Sequence, residues 1–319
     1  KPLLSEPVAV LAFEGWSDAG NTASGCIENL CNNHDVDPFA EVNSENFYNY
    51  QMRRPIVDVK EIGERNFHWP QTSFYSIEDY KSTNDIILVF GEEPSMRWKT
   101  YSEHIANTLI ELGVKKAVTL GAFFGQVAHT LPVPIFGVSD DPTFNSRYNV
   151  LPTNYSGPTG ITSVVGHELR NSGIETSGLW AAVPHYLSSG GYPKGISALL
   201  NKSAEILKID IDDTGIQSEG QQFETKIKKA MEKDGSTKVH GRRCNVYELV
   251  RDALNTRTQT DINTVNLSFA LNGVYLTLSA SPNTAAATAL HTSTSTPVQF
   301  PDASAFENPG SPCETPHFT

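Results

Sequence analysis

Five short and almost wholly apolar runs recur along the first 210 residues: 7–13 (PVAVLAF), 85–90 (DIILVF), 115–120 (KKAVTL), 133–139 (VPIFGVS) and 175–183 (ETSGLWAAV). A strand with one wet face alternates apolar and polar residues, whereas a continuous apolar run suits a strand covered on both faces. Helical patterns fill the gaps between these runs. Residues 97–113 set Ile105, Leu109 and Leu112 on one face and end at Gly113, and 161–172 ends before Gly173. Strands alternating with helices restrict the chain to an α/β fold with a helical layer on each side of the sheet.

The rest of the chain departs from that rhythm. Residues 36–80 hold short aromatic-rich pieces (ENFYNY, RPIVDVK, RNFHWP, TSFYSI), which predict small strands or hairpins flanking the sheet. An α/β core over 1–192 is followed by a helical extension over 193–257, with amphipathic segments at 193–208 and 218–234. From 258 to 319 there is no Lys or Arg, and Ser, Thr, Ala and Pro dominate. Within that segment Leu267, Phe269 and Leu271 alternate up to Asn272-Gly273, and Val274, Leu276 and Leu278 alternate away from it. This pattern predicts a hairpin at 266–280.

A net charge of -12 repels nucleic-acid phosphates and anionic membrane surfaces. No run of 18 apolar residues and no leader pattern is present, so the expectation is a cytoplasmic protein. The four cysteines, Cys26, Cys31, Cys244 and Cys313, have no zinc spacing and read as free thiols, with no metal and no cofactor.

Chemistry is sought first in FEGWSDAGNTASG, at residues 13–25, where a strand turns into a helix. It is neither a P-loop nor a dinucleotide fingerprint. Ser17 or Asp18 reads as the helix N-cap, and a carboxylate there opposes phosphate binding. Trp16 is expected in the core, its alternative being to stack on a ligand or fill a partner's pocket. Gly-x-Ser-x-Gly and His-Glu-x-x-His are absent.

His129 and His185 both follow strand runs, at the end where open α/β sheets hold ligands. With Asp140 and Asp141 after the next run, they can flank one crevice and serve as general bases. Glu92-Glu93 and His68 are further loop candidates, read as solvated or structural. The glycines after Ser188-Ser189 read as a connector.

Three blocks then occur together in order: PVAVLAFEGWSDAGNTASG, LGAFFGQVAHTLPVPIFGVS, and NYSGPTGITSVVGHEL followed by SGLWAAVPHYL. Over residues 7–235 the chain resembles the proteasome assembly chaperone 2 family in its bacterial and archaeal branch. Gly15, Trp16, Asp18 and Gly20 match the first turn. Gly121, His129, Thr130 and Pro132 match the middle block, which departs at Ala128 and Leu131. Gly157, Pro158, Thr159, Gly160, Trp180, Pro184, His185 and Tyr186 match the third.

The resemblance implies a three-layer α/β/α core, phosphorylase/hydrolase-like, with a helical C-terminal extension. It also implies homo-oligomers, a trimer favoured, and proteasome α-subunits as partners. Several characterised members dock through a C-terminal hydrophobic–tyrosine–any-residue motif; this sequence has His317-Phe318-Thr319, without the tyrosine hydroxyl. The expectation is a non-catalytic protein-binding scaffold, with Trp16, Asp18, Trp180 and Tyr186 as binding candidates. The alternative is a hydrolase or phosphorylase-like enzyme on a small polar substrate, using His129 and His185.

Overall fold

In the computed structural model, residues 2–61, 64–78, 84–187, 191–233, 266–271 and 274–278 are described. The chain divides into two units, Lys1–Thr225 and Lys226–Thr319. Its elements, in order, are β1 (Val8–Glu14), α1 (Thr22–His34), β2 (Ala40–Val42), β3 (Ile56–Glu61), β4 (Glu64–His68), β5 (Thr72–Ile77), β6 (Ile86–Glu92), α2 (Trp98–Leu112), β7 (Lys116–Gly125), β8 (Ile135–Val138), α3 (Phe144–Arg147), β9 (Leu151–Pro152), α4 (Ile161–Asn171), β10 (Glu175–Pro184), α5 (Pro193–Leu207), α6 (Thr214–Lys233), β11 (Asn266–Leu271) and β12 (Val274–Leu278).

Eight strands of the first unit form one mixed sheet in the order β2-β5-β6-β1-β7-β10-β8-β9. The four in the middle, β6, β1, β7 and β10, run parallel. β5 and β8 are antiparallel to their inner neighbours. The strands with continuous apolar runs thus lie where both faces are covered, as their composition requires.

β1 sits near the centre, and its side chains divide between two cores by simple alternation. Val8, Val10 and Ala12 join Ile27 and Leu30 of α1 and Leu199 and Leu200 of α5. Ala9, Leu11 and Phe13 join Tyr101, Ile105 and Leu109 of α2 and Val165 and Leu169 of α4. Ile105 and Leu109 are buried as their spacing predicts; Leu112 packs at the margin. Gly113 and Gly173, just past α2 and α4, have φ of 90° and 86°, a conformation that costs glycine little.

The helical extension begins with α5, which packs on α1, β7 and β10. Asp213 links it to α6, its carboxylate accepting from Ser197 Oγ (2.8 Å), Asn201 Nδ2 (2.5 Å) and Gln217 Nε2 (2.7 Å). In the second unit β11 pairs antiparallel with β12, with Leu271 opposite Val274 and Phe269 opposite Leu276. The tail from 281 and the C-terminal tripeptide lie outside the described residues. No helix among the described residues is long and apolar enough to cross a membrane.

Of the cysteines, Cys26 is buried in α1 and Cys31 is half-buried; both are free. Burial, and then nearby Glu28, pushes the Cys31 thiol up to about 11, so it is unreactive at neutral pH. Cys244 and Cys313 lie outside the described residues.

The turn after β1 is a capped joint. Asp18 Oδ1 accepts from Ala23 N–H (2.7 Å) and Ser24 N–H (3.1 Å) at the start of α1. Ser17, the other cap candidate, is buried with its hydroxyl unpartnered. Burial lifts the Asp18 carboxyl above its ordinary value, and the hydrogen bonds only partly offset this. Asp18→Ala should cost about 1–2 kcal/mol, and Asp18→Asn, which keeps an acceptor, clearly less. Denaturant midpoints of the three proteins check the order.

Candidate functional site

Because β6, β1, β7 and β10 are parallel, their C-terminal ends share one edge of the sheet, and most of the sequence candidates converge there. Asp18 lies beside Ala122 of β7 through an isolated parallel bridge, and Ala122 N–H donates to the Ser17 carbonyl at 2.7 Å. Glu14 and Glu92 are direct partners across β1 and β6. Arg53, from the loop before β3, forms ion pairs with both, at 3.4 Å to Glu14 and more closely to Glu92. Burial raises the Glu14 carboxyl above its ordinary value, and the Arg53 guanidinium opposes the rise.

Glu93 is not a solvated loop charge. Its Oε1 accepts the Ile161 amide at 2.8 Å, so it caps α4 as Asp18 caps α1. Two of the helix N-termini at this edge, those of α1 and α4, are therefore filled by the protein's own carboxylates, while α2 and α5, which also begin here, have no side-chain cap. Among the described residues no group of three or more His, Cys, Asp or Glu side chains could hold a metal ion.

The two histidines meet at one tyrosine. His129 is buried, and its ring Nδ1 and its backbone N–H each lie 2.8 Å from the Tyr186 hydroxyl. The ring of His185, which is exposed, packs edge-on to the same tyrosine at 5.4 Å. Lys194 of α5 donates to the His129 carbonyl (2.9 Å) and to Glu224 of α6 (2.6 Å), tying this loop to the helical extension. Burial lowers the His129 pKa below its ordinary 6.5, with Glu224 opposing and Lys194 assisting. His129 is thus a neutral, hydrogen-bonded wall residue. His68, in β4, pairs with Asp58 at 2.9 Å.

Asp140 and Asp141 do not join this group. β8 runs antiparallel to β10, so the residues that follow it emerge at the opposite end of the sheet. There they line a cleft with Lys116 and Glu175, which begin β7 and β10. The crevice expected from chain order alone is divided by the reversal of one strand.

Trp16 is also not where it was expected. It is 60% exposed, because the turn carries it past the end of the sheet, and it stands beside Gly160 at the entry to α4. Trp180 is half-buried, its ring lying over Gly121; an added Cβ at that glycine would come within 2.5 Å of the ring. The strand run read as ending at Leu120 continues to Gly125, paired with β10 throughout. That extension brings out Phe123 and Phe124, both exposed. The sequence reading stops the run at Leu120 and so leaves them out, although Gly121 is the gap that receives Trp180 and the strand continues past it.

A second apolar surface lies on β3 and β4, a separate two-stranded hairpin. Val57 pairs with Phe67 and Val59 with Arg65, so Val57, Val59 and Phe67 share one face. All three are exposed, Val59 by 62% and Phe67 by 59%. The sequence signal was the alternation in RPIVDVK, which predicts a one-sided strand without saying what covers it.

These elements can be set beside known proteins. The PAC2 family model matches residues 12–231. The chain belongs to the PAC2 family. A PAC2 family protein from Streptomyces avermitilis is 35% identical, with a TM-score of 0.66 over 70% of this chain and 95% of its own. A proteasome-assembly chaperone homologue from Mycobacterium tuberculosis is 31% identical, with a TM-score of 0.67 over 72% of this chain and 98% of its own. The Pyrococcus furiosus protein PbaA, an archaeal homologue of proteasome-assembly chaperones, shares the fold at 16% identity and a TM-score of 0.51, over 72% of this chain and 93% of its own. No curated protein matches the chain. The mixed sheet layered between helices is the architecture of these PAC2 relatives.

Two outcomes follow from this geometry. Gly121→Ala should destabilise by about 1–3 kcal/mol through overpacking. Adding Trp180→Leu should recover part of the loss, as non-additivity in a double-mutant cycle. The second concerns His129, which the folded protein protonates less readily than the unfolded chain does. Stability should therefore be flat above 6.5 and fall as pH drops from there towards the lowered folded value. Melting curves of His129→Gln across that range should lose this component of the decline.

Proposed function

We propose that the protein is a non-catalytic scaffold that works by binding other protein chains, in a chaperone-like role. The observation that carries the reading is the β3–β4 hairpin. An isolated two-stranded hairpin is marginal by itself, and an exposed apolar face on one is the usual sign of a docking partner. Trp16, Phe123 and Phe124 are further exposed aromatic residues at the strand ends, of the kind that anchor protein interfaces, with Phe123 and Phe124 on opposite faces of β7. Two such sets of exposed apolar residues suit a protein that joins copies of itself through one and holds a partner with the other. We assign the first to a homo-oligomer, a trimer, and the second to a partner complex in the cytoplasm. The names of the Mycobacterium and Pyrococcus relatives make proteasome subunits the first partners to try.

The strand-end chemistry supports the same reading. The N-termini of α1 and α4 are capped by Asp18 and Glu93, and His129 is engaged by Tyr186. Native mass spectrometry of the full chain with proteasome α-subunits from its own source tests the proposal. Val59→Ser with Phe67→Ser should lower the subunit number with little change in melting temperature, since exposed substitutions shift stability by roughly 0.5 kcal/mol or less. Trp16→Ser with Phe124→Ser should leave the oligomer intact and abolish partner capture. A wild-type monomer that captures no α-subunit overturns the reading.

A further inference from the structure

The opposite end of the sheet holds a cleft of about 410 Å³, within the range of small-molecule sites. Phe144, Ile174 and Ile206, all buried core residues, contribute apolar lining. Lys116, Arg147 and Arg170 bring three positive charges, and Asp140, Asp141 and Glu175 bring three negative ones.

These charges are not equivalent. The Arg170 side chain is only 19% exposed, whereas Asp140 beside it is 81% exposed. Among the described residues the ion pair with Asp140, at 3.5 Å from Nε, is the one interaction of the Arg170 guanidinium. A guanidinium offers five N–H donors, and 3.5 Å is at the limit for even one hydrogen bond. The Lys116 side chain is likewise mostly buried, at 26% exposure, and its partner Glu175, at 3.3 Å, is largely in solvent. Exposed carboxylates at such distances hold their partners weakly. Asp141 differs, being engaged by the Thr143 amide and hydroxyl, each at 2.8 Å, and by Arg147 at 3.1 Å.

We infer that this cleft binds a small organic monoanion, a carboxylate on an apolar or aromatic body, with Arg170 and Lys116 holding the head group in place of Asp140 and Glu175. The incoming carboxylate supplies the paired acceptors that a withdrawn guanidinium lacks, and the apolar lining takes the body. A more highly charged ligand such as a nucleotide is disfavoured, because Asp141 stays in place and the outer carboxylates remain near the mouth. The site is separate from the strand-end surfaces, so its fate does not depend on the scaffold reading.

The test is fluorine NMR of 4-fluorobenzoate with the full chain, with neutral 4-fluorobenzyl alcohol as comparison. Saturable line broadening by the benzoate in the millimolar range is expected, at least ten-fold weaker for the alcohol. Arg170→Gln should weaken benzoate binding ten-fold or more. Arg170 also lies in the last turn of α4, and a purely structural role there would leave the broadening unchanged. If Arg170→Gln does not fold, Lys116→Gln should still weaken binding at least three-fold. Equal binding of acid and alcohol, no saturable binding, or indifference to a folded variant overturns the inference.

Discussion

Burial of β1 on both faces is the constraint on which the rest of the molecule depends. From Val8 to Phe13 the strand carries no polar side chain, and each of its neighbours, β6 and β7, runs parallel to it. A parallel strand cannot be joined to its neighbour by a tight turn; the chain must cross over, and the crossovers become the covering helices. Alternation along the strand then sends three side chains to the α1–α5 layer and three to the α2–α4 layer. Both cores are thus set by six consecutive residues, each of the larger ones contributing roughly 1.5–3 kcal/mol on burial.

The same parallel arrangement collects the loops that carry chemistry at one edge. In many α/β proteins that edge receives anions at open helix N-termini. Here Asp18 and Glu93 occupy two of those positions, at α1 and α4, Arg53 pairs with both Glu14 and Glu92, and Tyr186 engages His129. Several polar groups of the edge are thus satisfied internally, the buried Ser17 hydroxyl excepted, and among the side chains it presents outward are Trp16, Phe123 and Phe124. An edge with two of its helix N-termini capped by carboxylates and with aromatic rings exposed suits the recognition of protein surfaces.

Much of this was legible in the chain. The five apolar runs became β1, β6, β7, β8 and β10, because continuous hydrophobicity has few other uses in a chain without membrane-length segments. The Asp18 cap was legible because capping is local: the carboxylate lies five and six residues from the amides it receives. Less was legible where a residue's role depends on distant partners. The apolar run 115–120 stops short of Gly121, whose role as the gap under Trp180 depends on β10, and Glu93 reads as solvated because the α4 amide it accepts is 68 residues away in sequence. Trp16 looked like core, because an aromatic residue does not record whether a helix will cover it.

The sequence by itself determined the layers, the cap and the short-range turns, since periodicity and side-chain-to-backbone bonds act over a few residues. Only the tertiary structure decided which ends meet. The reversal of β8 sends Asp140 and Asp141 away from His129 and His185 and sets them facing Lys116, Arg170 and Glu175. Strand direction is settled by which edge of the sheet remains unpaired and by where the preceding loop returns. These are properties of the assembled sheet, and they leave no mark on the pattern of the strand itself.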